Sequence, residues 1–123
     1  MPTLFISYKR ADKNDVHKIT EKLHRRYYFH IWIDYNSIPA GAKWPREIEL
    51  GIEKADRVLL MLTPEACQSE YVKKEIDYAK ELERQIIPLL LRPVTSEDLE
   101  QLGVANLEYI DFTDDTAKNS WDK

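Results

Sequence analysis

Residues 57–84 read RVLLMLTPEACQSEYVKKEIDYAKELER. The first six, Arg57 to Leu62, are almost continuously apolar, as a strand covered on both faces of a parallel sheet must be. Thr63 and Pro64 are expected to close it. Ser69 suits a helix N-cap, with Glu70 in the first turn, where a carboxylate meets the positive end of the helix dipole. From Tyr71 to about Arg84 the pattern is helical. At about 100° per residue, Val72, Ile76, Ala79 and Leu82 share one face, and Glu75 falls inside that arc, about 60° from Val72. Glu70, Asp77 and Glu81 fall on the far side and read as surface charge. Glu83 also turns inward by this arithmetic, but it sits in the last turn, where a change of direction returns it to water. A carboxylate on an inward face, one turn from the helix start, is costly to bury unless it is paired or lines a cleft. Glu75 is therefore the first candidate for function, against the plainer reading of a boundary glutamate paired with a neighbouring Lys or Arg.

Working outward, Ile86 to Leu91 (IIPLLL) is another buried-looking strand, in which Pro88 predicts a local irregularity because it cannot donate to a ladder. Upstream, Trp44, Ile48, Ile52 and Ala55 make one apolar stripe, with Pro45 suited to a first helical turn and an end near Asp56. Tyr35 to Lys43 (YNSIPAGAK) carries Asn, Ser, Pro and Gly and reads as a long loop. His30 to Asp34 (HIWID) reads as a strand. Val16, Ile19, Leu23 and Tyr27 give a helix from Asp15 onward, Lys9 to Asn14 a loop, and Thr3 to Tyr8 the opening strand. Beyond Arg92 a short helix is expected at Ser96 to Leu102 and a last strand around Leu107 to Phe112. Strands alternating with helices, with crossovers long enough for parallel pairing, predict an α/β sandwich with about five parallel strands and right-handed connections. Asp114 to Lys123 reads as the start of one more helix, with Trp121 on its inner face, that stops after barely two turns. Residues 1–123 are thus expected to be one domain excised from a longer chain, the alternative being a frayed natural C-terminus.

Composition narrows the function. With 123 residues, 43% of them hydrophobic, the chain has room for one core. Eighteen Lys and Arg against 22 Asp and Glu give a net charge of −4, which argues against general binding of nucleic acid or anionic membrane. No apolar stretch approaches the ~20 residues of a membrane helix, and no secretory leader opens the chain, so a cytoplasmic location is expected. The single Cys67 offers no internal disulfide, and His17, His24 and His30 share no metal-ligand spacing with it. Cys67 reads as a small buried hydrophobe. Ser7, Ser37 and Ser69 lack a histidine relay, and there is neither a Walker loop nor a GxGxxG. A phospho-acceptor receiver is disfavoured as well, because Ser7 to Arg10 supplies no acid at the first strand's end. In an open parallel sheet, ligands bind outside the carboxyl ends of the strands. Here those ends are Ser7 to Arg10, Asp34 to Trp44, Thr63 to Ser69 and Arg92 to Ser96.

FISYKR (Phe5 to Arg10), IDYNSIPAGAKW (Ile33 to Trp44), EIELGIEKAD (Glu47 to Asp56), VLLMLTP (Val58 to Pro64) and SEYVKKEI (Ser69 to Ile76) occur in the order and spacing of Toll/interleukin receptor (TIR) domains. By these motifs the chain resembles that family, most closely its bacterial type. The resemblance implies a flavodoxin-like, three-layer fold with a five-stranded parallel sheet of order 2-1-3-4-5. It identifies Tyr35 to Trp44 as the BB loop, with Ile38, Pro39, Ala40 and Gly41 as interaction residues. Many members cleave NAD+ at the nicotinamide–ribose bond, to ADP-ribose or a cyclic isomer, through a glutamate in a Trp-x-x-x-Glu motif. That motif aligns with Tyr71-x-x-x-Glu75, so the resemblance implies a catalytic role for Glu75 and changes the aromatic. Tyr8, Lys9 and Arg10 are carried over as substrate contacts, and Trp44 and Tyr71 as rings that stack on the ligand. NAD+ enters as substrate, with no cofactor or metal. Other members act as signalling adaptors through homotypic contacts, so the alternative is a non-enzymatic interaction module. The two are compatible where self-association completes the site.

Overall fold

A computed structural model describes residues 3–26, 30–33 and 46–113. In chain order they form β1 (Thr3–Ser7), a 3-10 turn (Arg10–Asp12), α1 (Lys13–Arg26), β2 (His30–Ile33), α2 (Arg46–Lys54) and β3 (Arg57–Leu62). These are followed by α3 (Pro64–Cys67), α4 (Glu70–Glu81), β4 (Gln85–Leu90), α5 (Ser96–Leu102) and β5 (Ile110–Asp111). All four strand pairings are parallel, and the sheet order is β2-β1-β3-β4-β5. That is the order the family resemblance implies.

The period-2 alternation of the strands divides the core in two. Phe5, Val58, Leu60, Leu62 and Leu90 pack with Ile48 and Ile52 of α2 and Val72, Ile76 and Ala79 of α4. Leu4, Ile6, Leu59, Met61, Leu89 and Leu91 pack on the other face with Val16 and Ile19 of α1. β3 is apolar at every position after Arg57 because it is central and covered on both sides. Each Val, Leu, Ile, Phe or Met side chain fully buried among them contributes about 1.5–3 kcal/mol relative to an exposed one.

Several expectations are corrected. Thr63 and Pro64 do not simply close β3: Thr63 Oγ1 accepts from the Ala66 amide and caps the four-residue α3. Lys9 to Asn14 is not all loop, since it holds the 3-10 turn and the first residues of α1. The last strand is two residues long, far shorter than Leu107 to Phe112. Pro88 causes no irregularity, and the β3–β4 register runs unbroken from Arg57↔Gln85 to Leu62↔Leu90. The reason lies in direction. Leu91 N donates to Leu62 O and Leu90 O accepts from Phe112 N, so odd residues of β4 address β3 and even ones address the β5 side. Pro88 therefore turns its missing N–H away from β3, at a level below the first β5 pair, Leu89↔Ile110, where the ladder asks for no donor.

Helix ends follow local chemistry. Ser69 Oγ accepts from Val72 N at the start of α4, and Thr95 with Asp98 forms a reciprocal capping box on α5. α4 ends with Glu83 in the left-handed region (φ 57), its amide donating to Lys80 O, while Arg84 N donates to Ala79 O. This is a Schellman closure with a glutamate where glycine is usual. Glu83 is exposed, as its place in the last turn predicted.

Candidate active site

Parallel order 2-1-3-4 brings the carboxyl ends of β1, β3 and β4 together, although they lie far apart in sequence. Ser7, the last residue of β1, shares the sheet face of Phe5 and so meets α4. Its Oγ donates to Glu75 Oε1 at 2.7 Å, with Ser7 wholly buried and Glu75 only 4% exposed. The helix-face arithmetic for Glu75 holds: Val72, Glu75, Ile76 and Ala79 are the buried residues of α4. A hydrogen bond this short, between two buried groups, fixes the orientation of the acid.

α4 is itself pinned. Tyr78 Oη donates to Glu53 Oε2 at 2.9 Å and Arg46 Nη1 to the same oxygen at 2.8 Å, while Arg84 Nη2 donates to Glu53 O at 2.8 Å. The Tyr78 hydroxyl, followed by Arg46, lowers the Glu53 pKa below the ordinary carboxylate value against the opposing effect of desolvation. Through Tyr78 and, beyond the helix end, Arg84, these bonds tie α2 to α4 and to the turn that follows it.

A second buried carboxylate escaped the sequence reading. Asp12, only 4% exposed, accepts from Thr63 Oγ1 at 2.6 Å through Oδ2 and is paired with Arg92 through Oδ1. Arg92 also reaches Asp15 at 2.8 Å and Glu65 at 3.7 Å. Burial opposes the Arg92 charge, but Asp12 first, then Glu65 and Asp15, outweigh it and hold its pKa above the ordinary value. Asp12 lies in a stretch whose polarity reads as loop, and only its partners, 51 and 80 positions away, mark it as internal.

Between Ser7 and Asp12 run the expected contact residues. Lys9 is half-buried and Arg10 exposed, and the Lys9 carbonyl accepts from Asp12 N at 2.8 Å to close the 3-10 turn. Tyr8 is half-buried and packs on the α1-side core, the face opposite Glu75. Tyr71, one turn before Glu75, is half-buried against the α4-side core, with the Lys74 ammonium 5.9 Å from its ring centroid. The structure thus brings Ser7 and Glu75 together, and sets Lys9 and Arg10 in the turn that follows Ser7. Trp44 and the BB-loop residues Ile38, Pro39, Ala40 and Gly41 lie outside the described residues. Cys67 is buried, and desolvation, with a smaller push from Asp98, raises its thiol to about 11, so it is no nucleophile at neutral pH.

The TIR_2 family model, a TIR domain, matches residues 4–123. The chain belongs to the TIR-domain family. Among solved structures, this TIR domain is similar to that of the Toll-related receptor TRR-2 from Hydra magnipapillata, at 21% identity and a TM-score of 0.69 over 97% of this chain and 91% of that one. It is also similar to the TIR domains of the activated Roq1 resistosome, which directly recognises the pathogen effector XopQ, at 14% identity and a TM-score of 0.71 over 99% and 91% of the two chains. At these identities the likeness speaks for the fold. No curated protein matches the chain. Among the described residues no helix is long and apolar enough to cross a membrane.

Proposed function

We propose that this TIR domain is an NAD+ glycohydrolase that breaks the nicotinamide–ribose bond, with Glu75 as its catalytic residue. The supporting observation is a carboxylate buried at the carboxyl end of a parallel sheet and held there by the hydroxyl of Ser7 at 2.7 Å. Nicotinamide in NAD+ is a cationic leaving group. When the C1′–N bond breaks, its electron pair leaves with the ring nitrogen, neutral nicotinamide departs, and no general acid is needed. The ribose is left as an oxocarbenium ion, and the negative charge of Glu75 stabilises that ion together with the ribose hydroxyls it accepts from. Water then adds at C1′ and loses a proton, giving ADP-ribose. A nucleophile within the ligand gives a cyclic isomer instead.

In this reading Lys9 and Arg10 meet the diphosphate, Tyr8 is a further contact, and Tyr71 and Trp44 stack on flat rings of the ligand. Homotypic association through Ile38, Pro39, Ala40 and Gly41 raises turnover, and the bacterial-type motifs suggest cytoplasmic NAD+ depletion in defence. The replacement of Trp by Tyr at position 71 favours a second reading, in which the domain only docks other TIR domains.

Chromatography of nicotinamide and ADP-ribose, with wild type and Glu75→Ala at low and high protein concentration, separates the two. Release by wild type that rises with concentration and is lost in the variant is expected. Equal release by both proteins removes Glu75 from the mechanism, and no release at any concentration leaves the docking module.

A further inference from the structure

The segment from Tyr8 to Ala11 is fastened at both ends by buried side chains. At its start Ser7 is bonded to α4 through Glu75. At its end Asp12 is bonded to Thr63, the residue after β3, and to Arg92, two residues past the end of β4. Thr63 does two things with one hydroxyl, accepting from Ala66 N and donating to Asp12, so the cap of α3 and the position of Asp12 are set together. The Asp12 amide in turn closes the turn onto the Lys9 carbonyl. Residues 9 and 10 are therefore held between two anchored neighbours, Ser7 and Asp12, and Lys9 is bonded to the second of them.

This anchoring brings a negative charge close to the turn that the reading above assigns to an anion. An uncompensated buried carboxylate two residues from Arg10 would work against a diphosphate, because charges are weakly screened where water is excluded. Arg92 meets that carboxylate directly and offsets its charge, and because its fork also reaches Asp15 and Glu65, its loss would leave three carboxylates near the turn without their shared cation. A planar guanidinium can serve several carboxylates at once, which a lysine ammonium does less well.

We propose that Asp12 is a positioning residue for substrate binding, fixing the turn of Lys9 and Arg10 as the seat of the diphosphate, and that Arg92 both holds Asp12 and masks its charge from that anion. This rests on the NAD+ reading, and it adds a division of labour: Glu75 governs the rate of bond cleavage, whereas the Asp12–Arg92 pair governs capture of the diphosphate.

The test compares wild type with Arg92→Gln, Arg92→Lys and Asp12→Asn in the whole chain, measuring KM and kcat for NAD+, and calorimetric dissociation constants for ADP and for adenosine. Arg92→Gln is expected to raise KM and the ADP dissociation constant about tenfold, leaving kcat within about twofold and adenosine binding unchanged. Arg92→Lys is expected to recover part of the loss. Should Arg92→Gln fail to fold, the same split read in Arg92→Lys and in the nearly isosteric Asp12→Asn decides the matter. An equal loss for ADP and adenosine means a merely structural clamp and overturns the proposal, as does an unchanged KM in variants of an active wild type. A wild type that neither turns over NAD+ nor binds ADP overturns the glycohydrolase reading, and this proposal with it.

Discussion

Removing one oxygen atom tests whether Ser7 holds Glu75, the carboxylate proposed to act on NAD+. Ser7 is wholly buried, its Oγ lies 2.7 Å from Glu75 Oε1, and Glu75 is 4% exposed. Ser7→Ala leaves shape almost intact and deletes a hydrogen bond to an ionised group, which contributes about 1.5–3 kcal/mol. In the Glu75→Gln background the same deletion removes only a neutral bond, about 0.5–1.5 kcal/mol. The cycle therefore predicts a coupling of about 1 kcal/mol. Glu75→Gln alone is expected to be neutral or stabilising, since it relieves burial of a charge, while abolishing turnover. Ser7→Ala is expected to lower kcat by about 10- to 100-fold, the rate equivalent of losing 1.5–3 kcal/mol of orientation at the reacting ribose. The assays are urea denaturation followed by far-ultraviolet circular dichroism for the four proteins, and nicotinamide release by chromatography for the active ones. Strict additivity, with equal costs of Ser7→Ala in both backgrounds, would refute an ionised Glu75 held by Ser7. An unchanged kcat in Ser7→Ala would refute its role in orientation even if the stability coupling appeared.

Other outcomes follow from the same geometry. Glu83→Gly places glycine at the left-handed residue closing α4 and is expected to stabilise the domain by about 1 kcal/mol, read as a rise of a few degrees in Tm; a fall in Tm contradicts the closure described. Thr95→Ala breaks the capping box of α5 and is expected to cost about 1 kcal/mol in urea denaturation. Leu89→Pro, one residue on from a harmless proline, removes a donor that faces β3 and is expected to cost about 3 kcal/mol or more or to prevent folding, whereas Pro88→Val folds normally; the reverse ranking sinks the account of strand direction. Cys67 should resist alkylation at pH 8 until the chain unfolds. Because its folded pKa is raised, the stability it carries is complete below the unfolded thiol value of about 8.5 and is lost as pH climbs toward about 11; a Cys67→Ala variant should show a shallower decline in Tm across that window.

How far the sequence could be read depended on whether each signal was local. The inward position of Glu75, the Ser69 cap and the span of α5 all follow from spacing within one helix, and the structure has them as expected. α3 leaves no periodic signal, because four residues are too few to show one. The effect of Pro88 is not legible locally, because it depends on which neighbour its nitrogen faces and on how far along that side β5 extends. Asp12 reads as loop polarity because the stretch from Lys9 to Asn14 around it is polar and its partners, Thr63 and Arg92, are remote in sequence.

The alternation of strands and helices, the apolar faces and the inward aim of one glutamate are local properties, because hydrophobic periodicity belongs to short stretches of chain. What that glutamate and its counterpart Asp12 are bonded to depends on the assembled sheet. Ser7 and Glu75 are 68 positions apart, Asp12 and Arg92 80 apart, and they meet because the sheet order sets the carboxyl ends of β1, β3 and β4 side by side. A buried polar group is stable only with partners, and which partners it finds is fixed by which strands are neighbours.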